Sequence, residues 1–302
     1  MYEYYLPFVG KPSPRMYHRV SADMIRAFAQ AIGDDNPLYN DEAYAKTSPY
    51  GRLIAPPTFC LILKAEDIPG MWVAPAGRIH ASQSFSYNRP ICADELVSVD
   101  QVLTNTFEKT GKKGQMVFTE VTKNIYDEAD ALICSMKMTT ITMANLFPAD
   151  MSAAVPGAAV AAAAPAEKPS PRLESGMALP QIQLPPVKRR DIIRYAGASG
   201  DFNPIHLEDV EAQKLGYPTV IAHGMLTAAL QGRVAETWVG SHYRLTDYNL
   251  KMTGPVFPED VLSFNGCVTE ADEAADTATI EYKVTNARGQ DILSGAFKVA
   301  AV

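Results

Sequence analysis

Little in this sequence supports the chemistries that leave the plainest marks. Its four cysteines, Cys60, Cys92, Cys134 and Cys267, form no C-x-x-C pair. A disulfide framework or a thiolate metal cage is therefore not expected, and buried free thiols in a reducing cytoplasm are. His18, His80 and His242 have no acid or second histidine at ligand spacing, so packed or surface roles are expected and no metal. There is no G-x-S-x-G elbow and no catalytic-cysteine signature, so covalent catalysis is not expected. No G-x-G-x-x-G follows a strand, which leaves a nicotinamide or flavin cofactor without a cradle, and no cofactor is expected. A run of about eighteen apolar residues is missing, as is the basic start of a secretory signal. Neither a membrane nor export is predicted. Positive charge is also scarce: the formal net charge is -7, which excludes general nucleic-acid binding.

What the chain does have is itself, twice. A constant offset of 167 carries Gly33, Asp34, Asn36 and Pro37 onto Gly200, Asp201, Asn203 and Pro204. The same offset carries Ala45 onto Ala212, Tyr50 onto Tyr217, and Ile54 and Ala55 onto Ile221 and Ala222. Further along the offset falls to 165, pairing Pro90, Ile91, Asp94 and Leu96 with Pro255, Val256, Glu259 and Val261. A period this long is a domain duplication, since solenoid repeats recur every few tens of residues. With 302 residues, 47% apolar and 20% charged, each copy can bury its own core. The predicted organisation is a first domain over 1–146, an alanine- and proline-rich connection over 147–180, and a second domain over 181–302. Prolines at 148, 156, 165, 169, 171 and 180 stop either helix or strand from running far in the connection. An extended strap across the surface is expected there.

Within each copy the apolar spacing predicts few helices and many strands. Met24, Ile25, Phe28, Ala29 and Ile32 recur at helical spacing, with Ser21 as N-cap and Gly33 as terminator, and Lys188 to Gly197 match them. A longer helix is predicted from His223 through Val234, with a counterpart starting near Pro57. After it come alternating, β-branched segments near 79–90, 95–107, 115–126 and 131–143, then 243–253, 261–269, 277–285 and 292–301. One main helix followed by strands on short loops, such as Asn286 to Gln290, describes an α+β layer with an antiparallel sheet. Two such units could join their sheets edge to edge.

The chemistry sits in the run Ser199, Gly200, Asp201, Phe202, Asn203, Pro204, Ile205, His206. Pro204 prevents a regular helix, so Asp201 and His206 are expected on one irregular turn facing a common cavity. A carboxylate and an imidazole around one water can take a proton from it and return one, which suits addition of water to a double bond. Asn203 can orient the carboxylate or the water, and Gly200 permits the tight turn. Taken singly, these are ordinary turn residues; His206, with His223 and Gly224, is what distinguishes the run. Gly224 is predicted at the start of a helix, where unpaired N–H groups and the positive dipole end can receive a developing oxyanion. In the first copy Tyr39 replaces the histidine, and Pro57, without an N–H, replaces the glycine.

Ser199 to His206 followed by Ala222, His223, Gly224 and Met225 resembles the R-specific enoyl-CoA hydratases, the MaoC-like family with the hotdog fold, over about the whole second half. The resemblance implies a double hotdog in which Asp201 and His206 are the catalytic dyad, Asn203 supports them and Gly224 supplies the oxyanion hole. His223, Ser199 and Met225 are the accompanying substrate-binding candidates. It implies an acyl-CoA substrate, an R-configured 3-hydroxyacyl product, a reversible reaction, and a first half that has lost catalysis and gained room for an acyl chain. The rival readings are a hotdog thioesterase and a silent acyl-binding subunit working beside another chain. Lys188, Arg189 and Arg190, or Arg78 and Arg89, are candidates for the phosphates of coenzyme A, although a charge run at a helix start also simply solvates it. Tyr2, Tyr4 and Tyr5 could dock on a neighbouring subunit, making a homodimer, or pack on the chain's own surface.

Overall fold

The computed structural model describes residues 2–73, 78–111, 114–143 and 172–302. In chain order the elements are β1 (Met16–Arg19), α1 (Ala22–Ala31), α2 (Pro37–Asn40), α3 (Glu42–Thr47), β2 (Arg78–Tyr87), β3 (Leu96–Gly111), β4 (Gly114–Tyr126) and β5 (Leu132–Met143). The second half repeats the plan with β6 (Ile182–Gln183), α4 (Arg189–Ser199), α5 (Asp209–Lys214), α6 (Gly224–Val239), β7 (Tyr243–Met252), β8 (Leu262–Asp272), β9 (Thr277–Asn286) and β10 (Asp291–Ala301). The eight long strands fall where alternation of apolar residues placed them. Ser21 caps α1 by accepting from the Met24 N–H at 3.2 Å, and Gly33 and Gly200 both take positive φ just after their helices, which an L side chain resists.

All ten strands form one antiparallel sheet in the order β1-β3-β4-β5-β2-β7-β10-β9-β8-β6. The joint is β2 against β7, where Ser84 pairs with Asn249, Ser82 with Lys251 and Ser86 with Asp247. The 165-residue offset of the duplication carries Ser84 onto its own partner, and it carries Ser82 onto Asp247 and Ser86 onto Lys251. A local two-fold axis therefore passes through the Ser84–Asn249 pair. Across the joint Phe85 stacks on Tyr248 with ring centroids 5.7 Å apart, and both side chains are buried.

The sheet covers α6, whose Leu226, Ala228, Ala229, Val234, Ala235, Trp238 and Val239 are buried. A helix apolar on so many sides belongs in an interior. Tyr248 donates its hydroxyl to the Ala228 carbonyl at 2.8 Å, and the Trp238 ring N–H donates to the Pro180 carbonyl at 2.8 Å.

The first half departs from expectation at the counterpart of α6. In place of a long helix from Pro57 there is only a short 3-10 stretch, Pro57–Ile62, after which Leu63 is extended. The carbonyls that would accept helical hydrogen bonds have other donors. Lys123 Nζ on β4 donates to the Leu61 and Leu63 carbonyls at 3.5 and 2.8 Å. His18 on β1 bonds the Lys64 carbonyl at 2.7 Å, and Gln101 on β3 donates to that of Glu66 at 2.9 Å. Pro69 and Gly70 then turn the chain. Side chains of the sheet thus hold this segment open, and the helix period in its sequence is overridden.

Most of the predicted 147–180 connection lies outside the described residues. From 172 on, the chain runs along β8, with the Gly176 and Leu179 N–H groups donating to the Val268 and Gly266 carbonyls at 2.8 and 2.9 Å. The N-terminal arm packs on its own chain. Tyr5 is buried with Ile68, Leu103 and Val117, and the Tyr4 hydroxyl bonds Gly70 and Trp72 backbone groups. Among the described residues no helix is long and apolar enough to cross a membrane.

Replacing Lys123 with methionine keeps the stem and removes the donor, leaving the Leu61 and Leu63 carbonyls without it. Loss of about 1–3 kcal/mol in urea-unfolding stability is expected. An unchanged midpoint would show that the open segment does not depend on this ammonium.

Candidate active site

The second-half motif forms the turn between α4 and a 3-10 stretch, Pro204–His206. Its backbone is organised by its own side chains. Asp201 Oδ1 accepts from the Asn203 N–H at 3.2 Å, and Asn203 Oδ1 accepts from the Ile205 N–H at 3.4 Å. Asn203 therefore supports the carboxylate through its backbone amide while its side-chain oxygen caps the next turn, a division of labour common for Asx residues at turns. Ser199 was expected near substrate. Its hydroxyl instead donates to the Tyr195 carbonyl at 2.6 Å and accepts from the Asp201 N–H at 3.3 Å, so it is occupied in closing α4.

His206 and His223 are brought face to face, with ring centroids 3.8 Å apart. Both are buried, whereas Asp201 is exposed. One potential ligand atom from each of Asp201, His206 and His223 lies within 4.8 Å of the others. Among the described residues this is the one cluster whose donor set suits a cation, and it is the same cluster that suits proton transfer.

The hydrogen bonds define the tautomers. His206 Nδ1 lies 2.8 Å from the Ile221 carbonyl and His223 Nε2 lies 2.9 Å from the Asp201 carbonyl. A carbonyl can only accept, so those nitrogens bear the protons, and His206 Nε2 and His223 Nδ1 keep lone pairs. His223 Nδ1 is buried without a partner. Burial holds His206 below the usual imidazole value, against the opposing pull of its Ile221 bond and the Asp201 charge. Burial, then the neighbouring His206, push His223 down to about 4. His223 thus lies against both the His206 ring and the Asp201 backbone.

His223 is also the N-cap of α6, whose first residue is Gly224. The first hydrogen bonds back to His223 come from Leu226 and Thr227, which leaves the Gly224 and Met225 N–H groups at the positive end of the helix. A Cβ at 224 would meet the end of the Met252 side chain of β7, which would have to shift to admit it. Met225 is half-buried and packs against the core.

Two groups reach this site from the first half: Arg78, one of the phosphate candidates, and His80, expected only as a packed or surface residue. His80 on β2 is pushed down to about 4, chiefly by burial, and feels the Asp201 charge. Arg78 is also close enough for its charge to interact with Asp201. Only the β2–β7 joint brings them here, and no local motif marks them. Arg89, the other candidate for phosphate, is held by Glu95 at 3.0 Å and Asp127 at 3.2 Å. Lys188 pairs with Glu259 and Arg189 with Asp209, so the basic triplet is drawn into surface ion pairs.

The first-half motif folds the same way. Asp34 Oδ1 accepts from the Asn36 N–H and Asn36 Oδ1 from the Leu38 N–H, each at 3.0 Å. At the histidine's place the buried Tyr39 donates its hydroxyl to Glu236 of α6.

Comparison with known proteins agrees with this architecture. Residues 7–136 match the FAS1-like dehydratase domain region and residues 163–289 match the MaoC-like domain. A UPF0336 protein of Thermobifida fusca is 35% identical over 116 residues, covering 36% of this chain and 74% of that one. The 3-hydroxyacyl-thioester dehydratase X of Mycobacterium tuberculosis is 45% identical over 64 residues, 20% of this chain and 22% of that one. A solved MaoC-like dehydratase superposes with a TM-score of 0.78 at 23% identity, covering 99% of both chains. A Mycobacterium tuberculosis protein described as having a double hotdog fold gives 0.67 at 14% identity, covering 96% of both. The chain belongs to the MaoC-like dehydratase family as a two-domain, double hotdog member.

The buried imidazoles tie stability to pH. An unfolded histidine titrates near 6.5, and folded His223 does so at about 4. Between these values the unfolded chain binds the extra proton, so stability present above 6.5 is lost as pH falls through the window. His223→Gln should remove on the order of 2 kcal/mol from the difference in unfolding free energy between pH 7 and pH 5. Identical pH slopes in urea titrations of the two proteins would contradict this.

Proposed function

We propose that this protein catalyses reversible addition of water to a trans-2-enoyl thioester, giving an R-configured 3-hydroxyacyl thioester, with coenzyme A as the thiol carrier. The observation that carries the reading is the approach of the Asp201 carboxylate to the buried pair His206 and His223 beside the first N–H of α6. His206 presents the bare Nε2, so it and Asp201 can hold one water between them. As that water's oxygen bonds to the β-carbon, its proton passes to the dyad. The double-bond electrons shift toward the thioester oxygen, and the Gly224 N–H receives the charge that develops there. The dyad then returns a proton to the α-carbon, so every proton taken is restored and dehydration follows the same path backward.

His223 is a positioning residue in this scheme: its Nε2–H fixes the backbone of Asp201, and its ring packs at a tilt against His206. Arg78 and His80 come from the first half, close enough for their charges to interact with Asp201. The first half itself has Tyr39 and Pro57 in place of the histidine and the amide donor, which leaves it to accommodate the acyl chain.

Thioester hydrolysis on the same fold, or acyl binding without turnover, are the competing readings. Retention of acid, imidazole and helix N–H together favours hydration over both. A panel of trans-2-enoyl-CoA substrates of increasing chain length, followed by loss of conjugated absorbance with chiral analysis of product, tests the reading. Release of free thiol without loss of conjugation would overturn it in favour of hydrolysis.

Asp201→Asn and His206→Ala should each lower kcat by at least about 10²-fold while leaving the folded circular dichroism spectrum unchanged. Tyr39→Phe should leave kcat within about threefold. The acid limb of kcat/KM should fall below the ordinary imidazole value of about 6.5, because burial depresses His206 and the neutral ring is the active form. A limb at or above 7 would be inconsistent with that assignment.

A further inference from the structure

A cavity of about 340 Å³ is lined by residues of both halves, and none of Asp201, His206, His223 or Gly224 lines it. Its floor is where the first copy of the motif meets the far end of α6: Asp34, Tyr39 and Glu236. Glu236 follows Gly224 by twelve residues of one helix, which is about 18 Å at 1.5 Å per residue. The floor and the candidate oxyanion donor therefore stand at opposite ends of α6.

The floor is polar and incompletely satisfied. Asp34 is only 6% exposed, and its Oδ1 accepts from the Asn36 N–H. Its Oδ2 is buried with no partner. Glu236 Oε1 accepts from the Tyr39 hydroxyl, and its Oε2 is also buried without a partner. Buried carboxyl oxygens nearly always have a donor, so two such atoms in one cavity mark the place of a group that would supply one. The walls are different in kind: Ile54, Pro57, Tyr50, Tyr87 and Leu245 make them largely apolar and aromatic.

Charge narrows the class of ligand. Burial raises Glu236 well above the usual carboxyl range, with the nearby Asp34 adding to it. Asp34 is pushed up to about 6, chiefly by burial, against the pull of Arg233. Burial and mutual repulsion thus favour a proton on the floor, and Arg233 and Arg244 line the same cavity. An ammonium group would find little net negative charge there and two cations beside it.

We propose that this cavity is a second binding site, one that takes an uncharged hydroxyl group carried on an apolar or aromatic body, the O–H donating to Asp34 Oδ2 or Glu236 Oε2. The duplicated fold retains the turn that presents Asp34, while Tyr39 and Pro57 remove the imidazole and the amide donor from this copy. The site therefore binds without turning its ligand over. It uses none of the proton-transfer or oxyanion groups of the hydration reading, and it adds a polar floor to the half where that reading places the acyl chain.

The test uses the full chain and three probes of one shape: 4-propylphenol, propylbenzene and 4-propylbenzylamine. Calorimetry should show the phenol binding at one site, with propylbenzene and the amine at least tenfold weaker. Asp201→Asn should bind the phenol as the wild type does, whereas Asp34→Ala and Glu236→Leu should each weaken it at least tenfold. Because either substitution could disturb folding, amide chemical-shift changes in the wild-type protein give a second reading. They should cluster at residues 34–57 and 233–245. Shifts confined to residues 199–225, equal binding of propylbenzene, tighter binding of the amine, or no binding of the phenol would each overturn the proposal.

Discussion

The burial of α6 between the two halves of the sheet is the constraint on which the rest depends. Its apolar residues face inward over most of its length, and Tyr248 and Trp238 tie its flanks to β7 and to the strap before β6 through hydrogen bonds of 2.8 Å. A helix so fixed delivers two chemically distinct ends. Its first N–H groups meet the Asp201–His206 turn, and its last turns carry Glu236 to Tyr39 of the other half. The interior that two complete copies would fill with two long helices is filled here with one.

Much of this was legible in the chain. The strands could be read because alternation is a strong local signal. Edge-to-edge joining of two sheets was expected from the duplication, but which strands meet, β2 and β7 about Ser84 and Asn249, comes from the structure. The missing first-half helix could not be read: Thr58 to Leu63 have the composition of a helix start, and what opens them is Lys123, His18 and Gln101, all distant in sequence. Tertiary donors, not local preference, settled that segment.

The site divides along the same line. Asp201, His206 and Gly224 were legible because a turn and a helix start are local, and the structure brings the first two together beside the third. Ser199 and Asn203 lie in the same motif, yet their side chains are spent on the backbone of the turn, a role that spacing cannot separate from contact with substrate. His80, Arg78 and Glu236 come to their places through the sheet joint and the far end of a helix. No window of sequence contains them beside their partners.

Joining both copies in one polypeptide has a genetic consequence. In a dimer of identical single-domain chains, every substitution appears twice, so exchanging the motif histidine for tyrosine would silence both centres at once. Here Tyr39 and His206 are encoded separately. One copy is free to drift while its sibling keeps its inheritance, and asymmetry becomes something selection can act upon.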